Sequence, residues 1–139
     1  MIHPAERYLG RTMNQGHIIK ILITDDNLMF RKILRAFLDS KNGIEVVGEA
    51  ENGQIAIQKV IELCPDVVLM DVNMPVLDGI EATSEIRRMS LRVKIIAVSN
   101  NDDEYYMRKM ETAGASSFVS KDKIAEEIEQ SIHNAVAAD

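Results

Sequence analysis

The chain has 139 residues, a formal net charge of −6 and a single cysteine, Cys64. This length suits one domain, and the hydrophobic fraction of 46% is too high for a disordered chain. The acidic balance argues against direct binding of nucleic acids or of anionic membrane surfaces, and one cysteine excludes an internal disulfide. No stretch approaches the length of an apolar membrane span, and the first residues lack the apolar core of a signal peptide. We therefore expect a cytoplasmic protein whose hydrophobic core alone stabilises the fold.

Residues 1–17 show no clear hydrophobic period and are predicted to form a flexible N-terminal extension, with the folded domain spanning residues 18–139. From residue 18 onwards, short apolar segments alternate with stretches of helical period. These segments predict five strands, at residues 18–24, 45–50, 66–70, 93–98 and 117–119. The continuous apolar runs within the third and fourth segments are typical of parallel strands that are buried on both faces.

The stretches between the strands are predicted to form amphipathic helices. The buried face of the first helix is predicted to consist of Leu28, Ile33, Leu34, Phe37 and Leu38. Asn52 and Asp102 stand where helix N-caps are expected, and Gly43 and Gly114 where helices end. Five strand–helix repeats predict an α/β fold, in which a doubly wound, five-stranded parallel sheet forms the middle layer of a three-layer sandwich.

Polar residues follow four of the predicted strands. Because parallel strands end at the same edge of a sheet, and ligands of such folds bind outside the carboxyl ends of the strands, we expect these side chains to meet. Three carboxylates with one lysine leave an excess of negative charge, which Mg²⁺ balances with oxygen ligands. This combination suits phosphoryl transfer. The residues concerned are Asp25, Asp26, Asp71, Asn73, Ser99 and Lys121.

Each of these residues taken singly has a simpler explanation. An aspartate after a strand often caps the next helix, a serine satisfies a turn, and a lysine is usually a solvated surface charge. Their joint occurrence after four different strands favours a functional site.

The chain resembles the CheY-like receiver domain of two-component response regulators. The resemblance covers residues 18–137 and rests on the motifs at 21–26, 71–79, 98–99 and 118–121. The segment 48–53 and the last helix are most similar to the NarL/FixJ-type branch. The resemblance implies a flavodoxin-like strand order of 2-1-3-4-5.

The resemblance also implies roles for the residues at the strand ends. Asp71 is expected to accept a phosphoryl group from a phosphohistidine of a sensor histidine kinase or phosphotransfer protein. Asp26, Asp71 and the backbone carbonyl of Asn73 are expected to bind Mg²⁺, and Asp25 to hold a metal-bound water. Lys121 is expected to pair first with the Asp71 carboxylate and then with its phosphate.

A switch from the site to a partner surface is implied as well. Ser99 is expected to move towards the phosphoryl group and Phe118 to turn inward behind it, which alters the surface formed by the fourth helix, fifth strand and fifth helix. A downstream effector protein or domain is then expected to bind there. The candidate contact residues are Tyr105, Tyr106, Met107 and Met110, although methionines at helical spacing are more often core contacts.

The chain departs from the usual receiver pattern at two positions. Asp122 follows the lysine where many receivers have proline, which predicts a different turn after the fifth strand. Asn100 stands where a smaller residue is usual, and we expect it to narrow access to Asp71. Members of the NarL/FixJ-type branch commonly carry a DNA-binding domain after the receiver. This leaves two alternatives, a stand-alone receiver and part of a longer transcriptional regulator, and homodimerisation on phosphorylation stays open.

Two other functions compete with a receiver. One is a Mg²⁺-dependent phosphatase or phosphotransferase with an aspartyl-phosphate intermediate. Enzymes of the haloacid-dehalogenase-like type carry a second acid two residues after the nucleophile, but here that position holds Asn73, which cannot act as a general acid. A flavodoxin-like flavin carrier needs a Ser/Thr/Gly-rich phosphate loop and aromatic side chains. The loop after the first strand instead carries Asp25 and Asp26, and the aromatic fraction is 4%. We therefore expect a phospho-acceptor that catalyses only its own phosphorylation and dephosphorylation.

Overall fold

A computed structural model describes residues 17–89, 91–100 and 104–138. Strands and helices alternate along this part of the chain, and each predicted strand is present with boundaries within one residue of those expected. Residues 1–16 of the predicted extension and the predicted N-cap Asp102 lie outside the described residues. The elements are β1 (Ile19–Thr24), α1 (Leu28–Asp39), β2 (Ile44–Ala50), α2 (Gly53–Leu63), β3 (Val67–Asp71), α3 (Gly79–Arg88), β4 (Lys94–Ser99), α4 (Glu104–Ala113), β5 (Ser117–Ser120) and α5 (Ile124–Ala137).

The strands form one parallel sheet in the order β2-β1-β3-β4-β5, which confirms the predicted topology. The chain runs from β1 outward to β2, then returns across β1 to β3 and continues to the other edge. The strand order therefore reverses between β1 and β3. In open α/β sheets the crevice at this switch point is where ligands bind.

Each face of the sheet is covered by its own hydrophobic core, because successive strand residues point to opposite faces. On one face the sheet packs against α2, α3 and α4, through residues such as Leu22, Val68 and Met110. On the other it packs against α1 and α5, through Ile21, Leu69 and Ile128 among others. The sheet is the middle layer of a three-layer sandwich, as the sequence predicts.

The buried face of α1 is narrower than predicted. Leu34 and Leu38 are buried, whereas Leu28 is 54% exposed and Ile33 is 62% exposed. Consecutive helix residues point about 100° apart, so a helix that turns Leu34 and Leu38 towards the sheet turns Ile33 away from it. The prediction that Leu28 and Ile33 are core residues is therefore wrong.

The predicted helix signals have mixed outcomes. The Asn52 side chain accepts a hydrogen bond from the backbone N–H of Ile55 at 2.9 Å and caps α2 as expected. Gly114 follows α4 directly and has a left-handed φ of 119°. Gly43 also has a positive φ, but α1 is capped at Ser40, so this glycine serves the turn into β2.

The loop after β3 is held against the sheet by close backbone contacts. The backbone N–H of Gly79 donates to the carbonyl oxygen of Val72 at 2.8 Å, and that of Gly53 donates to Leu77 at 2.8 Å. A Cβ atom on Gly79 would overlap the backbone carbonyl oxygen of Asp71. The start of α3 can therefore reach Asp71 this closely because Gly79 has no side chain.

We expect Gly79→Ala to destabilise the domain by roughly 2–3 kcal/mol, since the added methyl group meets backbone that a rotamer change cannot move aside. Urea unfolding measures the change. Gly43→Ala is the matched control, because its Cβ meets nothing within 4 Å and only its φ of 81° is unfavourable. The control should lose about 1 kcal/mol, and an equal loss in both variants would contradict the steric explanation.

Candidate functional site

The strand register brings the predicted polar residues to one edge of the sheet. Thr24 at the end of β1 pairs with Met70, the last residue but one of β3, which sets Asp25 beside Asp71. Asp25 is fixed further because its backbone N–H donates to the carbonyl oxygen of Ala50 at 3.0 Å. The positions of these carboxylates thus depend on the pairing of the central strands.

A cavity of about 200 Å³ lies at this edge. It contains all six residues that the sequence predicts at the strand ends, and Asn100 lines it as well. Phe118, the other predicted switch residue, lies outside it. The lining residues are Asp25, Asp26, Asn27, Asp71, Asn73, Ser99, Asn100 and Lys121.

The charges in this cavity are crowded. Asp25, Asp26 and Asp71 each offer a carboxylate oxygen, and these three atoms lie within 4.8 Å of one another. The Lys121 ammonium lies 2.5 Å from Oδ2 of Asp25 and 3.7 Å from Oδ2 of Asp71. Asp25 and Asp71 are buried, whereas Asp26 is exposed at the mouth. One lysine therefore faces three carboxylates.

This surrounding raises the pKa of the Asp71 carboxyl group from 3.8 to about 7. Burial contributes most, followed by the negative charge of Asp25, while the positive charge of Lys121 opposes the rise. Without a further cation, the charged form of Asp71 is unfavourable in the folded chain.

The donor set fits a hard divalent cation. Oδ2 of Asp25 is buried and has no hydrogen-bond partner among the described residues, so the ion pair with Lys121 is what balances it. Clustered carboxylate oxygens at such distances are the ligands that Mg²⁺ takes in proteins. The cavity thus has the excess negative charge and the carboxylate oxygen ligands that a Mg²⁺ site requires.

Two α1 side chains that the sequence analysis did not identify also contact the site. The ring centroid of Phe30 lies 4.4 Å from the Lys121 ammonium. Arg31 donates to the backbone carbonyl oxygen of Asp25 at 2.7 Å and to the Glu49 carboxylate at 2.9 Å. The helical period could have placed both residues near the strand end, but the partner of neither could be predicted.

The Glu49 carboxylate joins α1 to β2. It accepts hydrogen bonds from Arg31 at 2.9 Å and from Arg35 at 2.7 Å. Burial raises the pKa of Glu49, but the bonds from Arg35 and Arg31 outweigh burial and hold it below its usual value. Glu49 is therefore charged at neutral pH and keeps Arg31 in place against Asp25.

The predicted partner surface is only partly formed as expected. Met110 is buried in the core under α4, so it is not a surface contact and the alternative explanation for it is correct. Tyr105 and Met107 are exposed, and Tyr106 is half-buried against the same core. Phe118 is half-buried and lines a groove between α4 and β5 together with Met107.

The chain after β5 continues without a proline. Lys121–Lys123 forms a short 3₁₀ turn, and the Ser120 hydroxyl donates to the Asp122 carboxylate. The Asp122 side chain thus stabilises this turn, and Lys121, the first residue of the turn, lines the cavity.

The sequence-family model described as the response regulator receiver domain matches residues 21–133 of this chain. The chain belongs to the response regulator receiver family. It is 41% identical over 118 residues to the transcriptional regulatory protein LiaR of Bacillus subtilis, covering 85% of this chain and 56% of LiaR. It is also 39% identical over 102 residues to the chemotaxis protein CheY of Halobacterium salinarum, covering 73% of this chain and 83% of CheY.

Solved receiver structures agree with this assignment. The receiver domain of the NarL regulator from Mycobacterium tuberculosis superimposes with a TM-score of 0.85 at 26% identity, covering 89% of this chain and all of that one. The resemblance to the NarL/FixJ-type branch is thus confirmed. The chain spans about half the length of several curated relatives, LiaR among them. None of the helices in the described part of the chain has the length and hydrophobicity that a membrane span requires.

The raised pKa of Asp71 predicts a pH-dependent stability without metal. The folded chain binds the Asp71 proton more tightly than the unfolded chain, so stability falls as pH rises from about 4 towards 7. With EDTA present, Asp71→Asn should increase the free energy of unfolding by roughly 1–3 kcal/mol at pH 8, and by less at pH 5.

Urea unfolding at both pH values measures this difference. Glu45→Gln is the control, because Glu45 is exposed near the start of β2 and does not line the cavity. If Asp71→Asn and the native chain have the same free energy of unfolding at pH 8, the clustered charge does not destabilise the fold, and this prediction is wrong.

Proposed function

We propose that this receiver accepts a phosphoryl group on the Asp71 carboxylate, from a phosphohistidine of a sensor histidine kinase or a phosphotransfer protein. In this step an oxygen of Asp71 bonds to phosphorus, the bond from phosphorus to the donor imidazole nitrogen breaks, and the imidazole keeps that electron pair. The observation that carries the proposal is the cluster of Asp71, Asp25, Asp26 and Lys121 around one cavity. A nucleophilic carboxylate and an ammonium lie there within reach of one phosphoryl group.

The cluster also supports Mg²⁺ as the cofactor. Asp26, Asp71 and the backbone carbonyl of Asn73 would bind it directly, and Asp25 would hold it through a water molecule. When bound, the ion neutralises the negative charge that accumulates on the phosphoryl oxygens. Asn73 lines the same cavity as these carboxylates.

Lys121 and Ser99 supply the remaining contacts to the phosphoryl group. Lys121 is 3.7 Å from Asp71 before transfer, and its side chain is only 12% exposed. Its ammonium can therefore pass from the carboxylate to a phosphate oxygen with a small movement. The Ser99 hydroxyl, buried at the end of β4, can donate to another oxygen.

We further propose that phosphorylation changes the α4–β5–α5 surface. Ser99 moves towards the phosphoryl group, and Phe118 turns inward from its half-buried position. That movement reshapes the groove between α4 and β5, where Met107 is exposed. A downstream effector protein or domain binds this surface in one state of the switch.

The donor protein is proposed to approach over α1. Leu28, Met29 and Ile33 are 54%, 63% and 62% exposed, and the first two directly follow Asn27 at the cavity. Exposed apolar side chains next to a reactive carboxylate are typical of a protein contact.

The domain itself comprises residues 18–139, with residues 1–17 as an extension.

The proposed activity is confined to the chain's own phosphorylation and dephosphorylation. Phosphatases of the haloacid-dehalogenase-like type use a proton donor two residues after the aspartate nucleophile, and Asn73 cannot serve in that role. A cytoplasmic location accords with a kinase donor inside the cell.

The direct test is the intact mass after incubation with acetyl phosphate and Mg²⁺. We expect a gain of about 80 Da, the mass of one phosphoryl group, which disappears with EDTA and in Asp71→Asn. Asp66→Asn is the matched control, because Asp66 is another buried carboxylate, immediately before the start of the strand that Asp71 ends. The control should gain the same mass as the native chain.

A gain that persists in Asp71→Asn would place the acceptor elsewhere. If acetyl phosphate gives no gain, a phosphorylated histidine kinase domain serves as the second donor. Failure with both donors would overturn the proposed function.

Access to Asp71 gives a second test. Asn100 is exposed and lines the cavity, so we expect a smaller side chain at this position to widen the access to Asp71. Asn100→Ala should speed phosphorylation by acetyl phosphate roughly threefold to tenfold, as expected when about 1 kcal/mol of steric hindrance is removed. Stopped-flow or timed mass measurements give the rate, and an unchanged rate would contradict the obstruction.

A further inference from the structure

Phe30 of α1 contacts Lys121, the lysine that lines the cavity. Its ring centroid lies 4.4 Å from the Lys121 ammonium. The negative face of an aromatic ring attracts a cation at this distance, and more strongly where water is excluded. The Lys121 side chain is only 12% exposed, so this contact is largely sheltered from solvent.

Phe30 is connected to Asp25 in two ways, through the backbone and side chain of Asn27 and through the ammonium of Lys121. Oδ1 of Asp25 accepts from the Asn27 backbone N–H at 2.8 Å, and the Asn27 side chain accepts from the Phe30 backbone N–H at 3.0 Å. The Phe30 ring meets the Lys121 ammonium, which in turn pairs with Asp25 at 2.5 Å. Asp25, Asn27, Phe30 and Lys121 therefore form a closed ring of contacts.

This ring of contacts limits where the ammonium can lie. Lysine has a long, flexible side chain that loses considerable rotamer freedom when it is confined, and a favourable contact with a fixed neighbour offsets this cost. Phe30 is half-buried and packs against the core beneath α1 and α5, so its ring is fixed by more than the lysine. The aromatic face thus gives the ammonium a fixed neighbour besides the two carboxylates.

We propose that Phe30 is a positioning residue, which holds the Lys121 ammonium where it can pass from Asp25 and Asp71 to the phosphoryl oxygens. This proposal rests on the proposed function, because it assigns Phe30 a role in phosphoryl transfer through Lys121. Phe30 itself touches no reacting atom.

The contact has a spectroscopic signature that does not depend on activity. Protons above an aromatic ring resonate upfield, so the Lys121 Hε protons should be shifted upfield in the NMR spectrum of the ¹³C-labelled native chain. Lys121→Arg identifies the signal by its loss. The shift should disappear in Phe30→Leu and persist in Phe30→Tyr, which keeps the aromatic face.

The kinetic arm compares phosphorylation rates with acetyl phosphate and Mg²⁺. Phe30→Leu should react roughly threefold to tenfold more slowly, the range expected from a partly desolvated cation–aromatic contact. Phe30→Tyr should restore the rate to within about twofold of the native value.

Phe37→Leu is the matched control for packing. Phe37 lies on the same helix, packs against the same core, and has its own lysine, Lys41, at 4.6 Å from the ring centroid. This control should leave both the Lys121 signal and the phosphorylation rate unchanged. If Phe37→Leu slows phosphorylation as much as Phe30→Leu does, the effect comes from lost packing of α1 and not from the contact with Lys121, and the proposal is wrong.

Three other results would overturn the proposal. One is a Lys121 signal without an upfield shift in the native chain. The second is a Phe30→Leu variant that loses the shift but keeps its rate, and the third is a Phe30→Tyr variant that is as slow as Phe30→Leu. If the native chain accepts no phosphoryl group from any donor, the proposed function fails, and the kinetic role of Phe30 fails with it. The NMR signal then separately decides whether the ring holds the ammonium.

Discussion

The crowding of three carboxylates around one ammonium is the constraint on which the site depends. Asp25 and Asp71 are buried at the carboxyl edge of the sheet, and Lys121 is the cation that balances them. Buried like charges oppose folding unless they are neutralised. The raised pKa of Asp71 is the direct consequence. The same excess of negative charge makes the site suited to a divalent cation.

Contacts from three directions keep these charges together. Strand pairing fixes the backbone at Asp25 and Asp71, since both lie at the ends of central strands that are hydrogen-bonded to each other. From α1, Arg31 holds the Asp25 carbonyl oxygen, and Phe30 faces Lys121. Behind Asp71, Gly79 allows the start of α3 to approach the backbone. Residues far apart in the chain thus hold Asp71 among charges that would otherwise repel one another.

Much of the fold was predictable because it is encoded in local patterns. Alternating apolar and amphipathic segments identify the strands to within one residue, and the polar residues at the strand ends, Asp71 and Lys121 among them, identify the site. Errors arose where a pattern left the orientation open. Ile33 looks like a core residue because it is apolar and adjacent to Leu34, yet the rotation of α1 about its axis exposes it. Met110 is the opposite case: it was a candidate surface contact, but the orientation of α4 places it in the core.

The order of apolar and polar residues along the chain is sufficient to specify the architecture, the edge where the site lies and the residue types gathered there. This is because hydrophobic period and strand ends are local properties of the sequence. The strand order was inferred from resemblance alone, because local patterns carry no information on which strands are neighbours. Which groups touch was decided only by tertiary structure. The pairing of Lys121 with Asp25 and its contact with Phe30 join residues more than 90 positions apart, and such contacts depend on helix rotation and strand register.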